Sequence, residues 1–375
     1  MRDFSSVKRI VVKVGTNLLS CSEGIDRNRI NSIVDQIAAL KENGYQVILV
    51  SSGAVGMGAK ALKHNSPVVY IAMRQACAAI GQPLLMSAYQ NEFDKHNLLC
   101  SQVLITRSIL SNRTSYNNLR SSVSTLLALG VVPIFNENDV VSTAEVKEID
   151  SFGDNDRMSA LVASKIDADL LILLTDIDGL YTGNPKKDRD AVIIRTIPEL
   201  SKEIFSYAKG AGSQFATGGM RTKLLAAQIA QKGGCGTVIA SGYESDVLSR
   251  IVKGEEIGSY ILPEERLAQR QRWILNTPAE GRLYVDSGAR RALEAHKSLL
   301  PSGLRRVDGI FEEGSVVEIA DESGNVFLKA VPYFNSSELS MLIGHKTQDI
   351  PAILGEGRKE VLFRPEDTAA INEEL

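Results

Sequence analysis

Through the first 260 residues, short aliphatic runs alternate with segments whose apolar positions return every three or four residues. Runs at 9–14, 47–50, 131–135, 170–174 and 237–240 have the length and β-branched content of strands buried on both faces, and 98–105 reads as extended. Between them, residues 26–41 place Ile30, Ile33, Val34, Ile37 and Leu40 on one helical face, with Gly44 just beyond the end. Further helical patterns fall at 70–80, 84–93, 115–129, 158–166, 224–232 and 244–252. Strands alternating with helices predict an α/β domain: a three-layer αβα sandwich around a mainly parallel sheet, with ligands at the C-terminal edge of its strands.

The pattern changes after residue 260. A charged stretch at 262–273, ending in the only tryptophan, Trp273, reads as a linker over 261–280. From residue 281 the elements are small: strands near 283–285, 316–319 and 326–330, Ser-Gly and Glu-Gly turns, and one helix around Arg290. The sequence therefore predicts a domain at 1–260, a compact mostly-β module at 281–358, and a tail at 359–375.

Composition narrows the function classes. With 375 residues, 44% hydrophobic and 23% charged, and a net charge of -3, nothing electrostatic favours nucleic acid or membrane as the main partner. Within 281–355, eight Lys and Arg stand against ten Asp and Glu, so no basic face announces RNA binding. Cys21, Cys77, Cys100 and Cys235 are scattered without Cys-x-x-Cys spacing, which argues against a structural zinc or a disulfide framework. The N-terminal residues lack an apolar core of signal-peptide length, and the longest aliphatic run, 170–174, is far short of a membrane span. The expectation is a soluble protein of the cytoplasm with no metal site of its own.

The densest polar chemistry lies at 133–160. One burst, Asn136-Glu137-Asn138-Asp139, leaves directly from a buried strand; the second, Gly153-Asp154-Asn155-Asp156, precedes a helix. A helix cap needs one such residue, and solvated turns would account for some of the rest. Three Asn, one Glu and three Asp in two loops fit better with holding a charged substrate, a metal-nucleotide or an amino group. The insert at 140–152 alternates weakly and predicts a hairpin flap over the site. Lys13 interrupts a β-branched run, where an ammonium is costly unless paired, and is expected to meet an anion at the strand's end rather than to face solvent. The turn from Ser51 to Gly58 carries three glycines that let backbone N–H groups approach an anion, although neither dinucleotide nor P-loop spacing is present. Thr175-Asp176, immediately off another strand, suits a nucleotide. Lys223 sits in the opening turns of a helix after Thr217-Gly218-Gly219-Met220-Arg221-Thr222; against the helix dipole, that position makes sense facing phosphate rather than as a solvated lysine.

Taken together these segments resemble the two-domain glutamate 5-kinase family, an amino-acid-kinase domain followed by a PUA domain. The markers are Val12-Lys13-Val14-Gly15-Thr16, Ser51-Ser52-Gly53-Ala54, Asn136-Glu137-Asn138-Asp139, Phe152-Gly153-Asp154-Asn155-Asp156, Leu174-Thr175-Asp176, Thr217-Gly218-Gly219-Met220 with Lys223, Asp286-Ser287-Gly288-Ala289 and Leu299-Leu300-Pro301-Ser302-Gly303. The similarity runs nearly the whole length. It departs at Ala216, where the family usually has glycine, and in a longer connection at 145–152.

The resemblance implies ATP-dependent phosphorylation of the L-glutamate side-chain carboxylate, with ATP and Mg²⁺ as cofactors. It implies that Lys13 and Lys223 contact the phosphates and that Asp156 organises the two lysines. Thr175, Asp176 and the 217–223 segment (Thr217, Gly218, Gly219, Met220, Arg221, Thr222, Lys223) would hold the nucleotide. Ser52, Gly53, Ala54, Asn136, Asp139 and Asn155 would hold glutamate. It further implies a homo-oligomer (dimer or tetramer), proline as feedback inhibitor, transfer of product to glutamate-5-semialdehyde dehydrogenase, and possible RNA contact through the PUA domain. Glutamate's side chain, with an ordinary pKa of about 4.3, needs no general base, and His64, His96, His296 and His345 all lie outside the candidate loops. Two alternatives remain: a related kinase acting on another carboxylate or on carbamate, which the ammonium-binding pair Asp139 and Asn155 disfavours, and an RNA-binding regulator with a vestigial kinase domain, which would show a lost lysine or a broken Asp-Asn-Asp loop.

Overall fold

A computed structural model describes residues 1–21, 24–64, 66, 68, 70–141, 155–185, 188–208, 219–265 and 268–371. The chain divides into two compact units, Met1–Arg266 and Leu267–Leu375.

The first unit is built on an eight-stranded sheet. In spatial order its strands are Cys100–Ile105, Val132–Glu137, Gln46–Ser51, Arg9–Val14, Leu170–Thr175, Gly236–Ser241, Ser259–Ile261 and Thr196–Ile197. All neighbours pair parallel except Gly236–Ser241 with Ser259–Ile261. The central strands are mostly apolar because both faces are covered, with Lys13 the buried charged exception among them. On one face Val11, Ile48, Val50, Phe135, Leu171 and Leu173 pack under the helices Arg113–Ala128, Asn155–Lys165 and Met220–Lys232. On the other, Ile10, Val12, Leu49, Ile134 and Ile172 pack under Arg27–Glu42, Ile71–Asp94 and Val247–Val252. The expected three-layer, mainly parallel architecture is present.

Two local expectations need correction. The two helices read at 70–80 and 84–93 are one, Ile71–Asp94, running through Pro83. A mid-helix proline costs about 3 kcal/mol, but Cys77, Gly81, Leu85, Tyr89 and Phe93 bury the helix on both sides of it, so packing outweighs the local break. The strand at 237–240 is not the last of the unit. Ser259–Ile261 pairs antiparallel against it and carries Thr196–Ile197 at the edge, and both are too short to leave a periodic signature.

The second unit has a five-stranded sheet in the order Leu304–Asp308, Gly281–Val285, Val317–Asp321, Val326–Ala330 and Thr368–Ala370, around a core that includes Leu283, Ile319, Phe334 and Phe363. Here the expected boundaries shift. The stretch read as a linker contains a helix, Gln269–Asn276, whose Trp273 and Ile274 are buried, and the Lys329 ammonium donates to the carbonyls of Leu275 and Thr277 at its C-terminal end. The stretch read as a tail supplies the core residue Phe363 and the strand Thr368–Ala370. Charge hid the first, and the short length of the strand hid the second. Among the described residues no helix is long and apolar enough to cross a membrane.

Candidate active site

The strand Arg9–Val14 lies between Gln46–Ser51 and Leu170–Thr175, so the chain departs from it toward opposite sides of the sheet. Such a switch point leaves a crevice beyond the C-terminal strand ends. A cavity of about 340 Å³ occupies that place. Strand ends and the turns after them supply Lys13, Gly15, Asn17, Ser52, Asn136, Glu137, Asp139, Thr175 and Asp176; helix starts supply Val55, Gly56, Arg74, Asn155 and Lys223.

Its inner end is a knot of charge. Side chains alternate along a strand, so Lys13 shares the face of Val11, the face roofed by Asn155–Lys165 and Met220–Lys232. Asp156 sits in the first turn of one of those helices and Lys223 in the first turn of the other. The three therefore meet: the Lys13 ammonium lies 2.5 Å from Asp156 Oδ1, and the Lys223 ammonium lies 3.0 Å from Asp156 Oδ2. Asp156 is fully buried and both lysines are 5% exposed. Burial pushes the Asp156 carboxyl up, but the two ammonium charges and their hydrogen bonds more than offset it and hold the group below the ordinary carboxylate value. A carboxylate shared by two cations leaves a net positive end, aimed at the cavity.

The opposite end is lined by amides. Asn155 Nδ2 donates to the Ser51 carbonyl (3.0 Å), Ser52 Oγ (2.8 Å) and Asn136 Oδ1 (3.3 Å). Asn136 Nδ2 donates in turn to Gln82 Oε1 (2.9 Å), and Gln82 Nε2 donates to Gln102 Oε1 (3.1 Å). This chain of bonds fixes which face of each amide looks into the cavity. Next to it, Arg74 Nε lies 3.3 Å from Asp139 Oδ1; the arginine side chain is 57% exposed and the aspartate side chain 12%.

Along another wall, the Thr175 hydroxyl donates to Asp176 Oδ1 (3.0 Å) and Asn17 Nδ2 to Asp176 Oδ2 (3.2 Å). Burial raises the Asp176 carboxyl, and these donors more than compensate, so it too is held below the ordinary value.

The structure thus brings together Lys13, Ser52, Asn136, Asp139, Asn155, Asp156, Thr175, Asp176 and Lys223. It places others differently. Gly53 caps the helix Ala54–Ala61 with φ +109°, and Ala54 is buried, so Ser52, Val55 and Gly56 form the wall there. Met220 points into the hydrophobic core, Arg221 is exposed above the Phe205 ring at 6.0 Å, and the Thr222 hydroxyl donates to the Gly219 carbonyl. None of those three lines the cavity among the described residues. Gly219 is the residue before the Met220–Lys232 helix. Thr217, Gly218, Ala216, the 140–152 flap beyond residue 141, and Phe152-Gly153-Asp154 lie outside the described residues.

Asn17 and Arg74 line the cavity without having been given a site role from the sequence. Asn17, expected in the turn after the first strand, lies in the short helix Thr16–Leu19. Arg74 carries the signal that singled out Lys223, a cation in a helix's first turn, but at the start of a helix not connected to the site on sequence grounds. That helix and Ala54–Ala61 are in backbone contact: a Cβ on Gly81 would fall 1.8 Å from the Ala54 carbonyl oxygen, and one on Gly58 1.8 Å from that of Cys77.

Comparison with known proteins gives the family of the chain. Residues 8–241 match the amino acid kinase family, and residues 281–354 match the PUA domain. A protein named glutamate 5-kinase from Trichlorobacter lovleyi is 44% identical over 354 residues, 93% of each chain. Namesakes from Methanosarcina acetivorans (42% over 374 residues, 97% of this chain and 96% of the relative) and Moorella thermoacetica (43% over 355 residues, 94% and 93%) are similar to the same extent. These matches and the fold agree: the chain belongs to the amino acid kinase family and carries a PUA domain after its kinase domain.

Proposed function

We propose that the chain transfers the terminal phosphoryl group of ATP to the side-chain carboxylate of L-glutamate, giving L-glutamyl 5-phosphate, the first step of proline biosynthesis. The observation that carries this reading is the convergence of two buried lysines on one buried carboxylate at one end of a cavity whose other end presents Asp139 and a fixed array of amides. A carboxylate oxygen of glutamate attacks the γ-phosphorus, forming one P–O bond as the bond to the β-phosphate oxygen breaks. ADP leaves with that electron pair. The nucleophile is already ionised near neutrality, so no proton has to be removed.

The obstacle is the repulsion between two anions. Lys13 and Lys223, directed by Asp156, neutralise charge that develops on the transferred group, and they do so from a buried site where such interactions weaken little through solvent. Thr175, Asp176 and the segment around Gly219 hold the nucleotide. Ser52, Asn136, Asp139 and Asn155 hold glutamate, with Asp139 facing its ammonium. Mg²⁺ would be held by the nucleotide's phosphates, where it would supply further charge neutralisation.

In this reading proline competes at the glutamate end, the labile acyl phosphate passes to glutamate-5-semialdehyde dehydrogenase, and a homo-oligomeric enzyme works in the cytoplasm. RNA contact through the PUA domain would be a second property. An intact lysine–aspartate knot weighs against a vestigial kinase, and Asp139 against substrates without a free ammonium. The test is ATP consumption over a panel of acidic amino acids, with hydroxylamine trapping the acyl phosphate as a hydroxamate, repeated with proline. Selective hydroxamate formation from glutamate is expected; its absence in the presence of magnesium and ATP would end the proposal.

A further inference from the structure

Glutamate presents three charges, and the roles assigned above meet only two of them. Its side-chain carboxylate faces the lysines and its ammonium faces Asp139, which leaves the α-carboxylate. Among the described residues lining the cavity, the cations are Lys13, Arg74 and Lys223. Both lysines are committed to Asp156. Arg74 stands at the other end, beside Asp139.

We infer that Arg74 binds the α-carboxylate of the amino-acid substrate and so makes the site selective for a complete α-amino acid. This rests on glutamate being the substrate. Arg74 and Asp139 stand side by side at the cavity wall, Nε to Oδ1 3.3 Å, as a paired cation and anion. An α-amino acid carries the complementary anion and cation on one carbon, so once the pair parts each side chain can take up the opposite charge of the substrate. Little is lost in opening the pair, because with the arginine side chain 57% exposed the contact is a solvent-screened one. The planar guanidinium can engage a carboxylate with two donors, which an ammonium cannot do. The local fold agrees. The Arg74 amide makes a hydrogen bond back to Tyr70, so the residue lies in the first turn of a 24-residue helix with no acidic side chain in that turn. A helix start favours an anion there, not the arginine itself.

The test compares L-glutamate with L-isoglutamine, in which the α-carboxylate is a neutral amide of nearly the same shape. The wild-type enzyme should prefer glutamate by about 10- to 100-fold in kcat/KM, the range of one charged hydrogen-bonded contact. Arg74→Gln should raise KM for glutamate about tenfold, leave isoglutamine and the KM for ATP within about twofold, and so collapse the preference. Arg74→Lys should restore part of it. If Arg74→Gln impairs glutamate and isoglutamine equally, the arginine only orients Asp139 and the inference is wrong. A wild-type enzyme that phosphorylates glutamate and isoglutamine equally well would overturn it too. A wild-type enzyme inactive on glutamate fails differently, by removing the parent reading and this one with it.

Discussion

The two ends of the cavity each hold an acid–base contact, and they are built in opposite ways. Asp156 is fully buried, shared between two nearly buried lysines, and fixed in the first turn of a helix. Among the described residues Asp139 is paired with a half-exposed arginine, at longer distance. Buried charge is costly to create and costly to disturb, so it suits a part that must already be in place when the transition state forms. A screened contact is cheap to exchange, so it suits a part that must let go of one partner to take another. One end of the cavity is therefore organised for rate, the other for recognition.

Asp156→Asn would break this contrast most severely, because it leaves two buried ammonium groups without their counterion. It should destabilise the first unit by about 3–5 kcal/mol, read by circular dichroism during unfolding, since the only tryptophan, Trp273, lies in the other unit. The sign with pH follows from the lowered pKa of Asp156: its contribution is fully present above the ordinary carboxylate value of about 3.9 and fades only as pH falls through the lower native value. The gap between wild type and variant should hold steady from neutral pH down to about pH 5 and narrow only in stronger acid. A gap that narrows already between pH 8 and 6 would place the titration elsewhere.

Lys13→Ala and Lys223→Ala come next, each lowering kcat by about two to three orders of magnitude, the scale of one lost transition-state contact. Turnover near wild type in either variant would remove that lysine from the chemistry. Asp139→Ala should act on the other axis, raising KM for glutamate about tenfold or more with kcat changed by less than about threefold. A fall in kcat matching that of the lysine variants would erase the distinction between the two ends. The smallest effect separates them by solvent alone: raising salt from 0.05 to 0.5 M at saturating ATP should increase KM for glutamate by about two- to threefold and leave kcat nearly unchanged, since exposed charges are screened and buried ones are not.

Much of this was legible along the chain, and the exceptions have physical reasons. Lys13 announced itself because an ammonium inside a β-branched run must find an anion. Asp156 and Asn155 stood out by polar density before a helix. Pro83 misled because local propensity argues for a break while the burial that overrides it comes from residues distant in sequence. Ser259–Ile261 and Thr368–Ala370 are three residues each, too short for any period to register. Arg74 escaped because its significance is relational: nothing near it in sequence reveals that a helix beginning at Ile71 opens beside Asp139. Likewise Met220 and Arg221 sit within a nucleotide-like motif, yet the helical turn sends one into the core and the other outward.

The glycine crossing between Ala54–Ala61 and Ile71–Asp94 constrains anyone who would re-engineer this protein. With main chain pressed against main chain at Gly58 and Gly81, no side chain can be grafted at either position without prising the helices apart. Both the wall around Ser52 and the arginine opposite Asp139 hang from that joint. Widening the range of accepted amino acids thus has to proceed by exchanging groups that face the solvent-filled side, such as Arg74 or Val55, because the hinge-like seam behind them offers no room for adjustment.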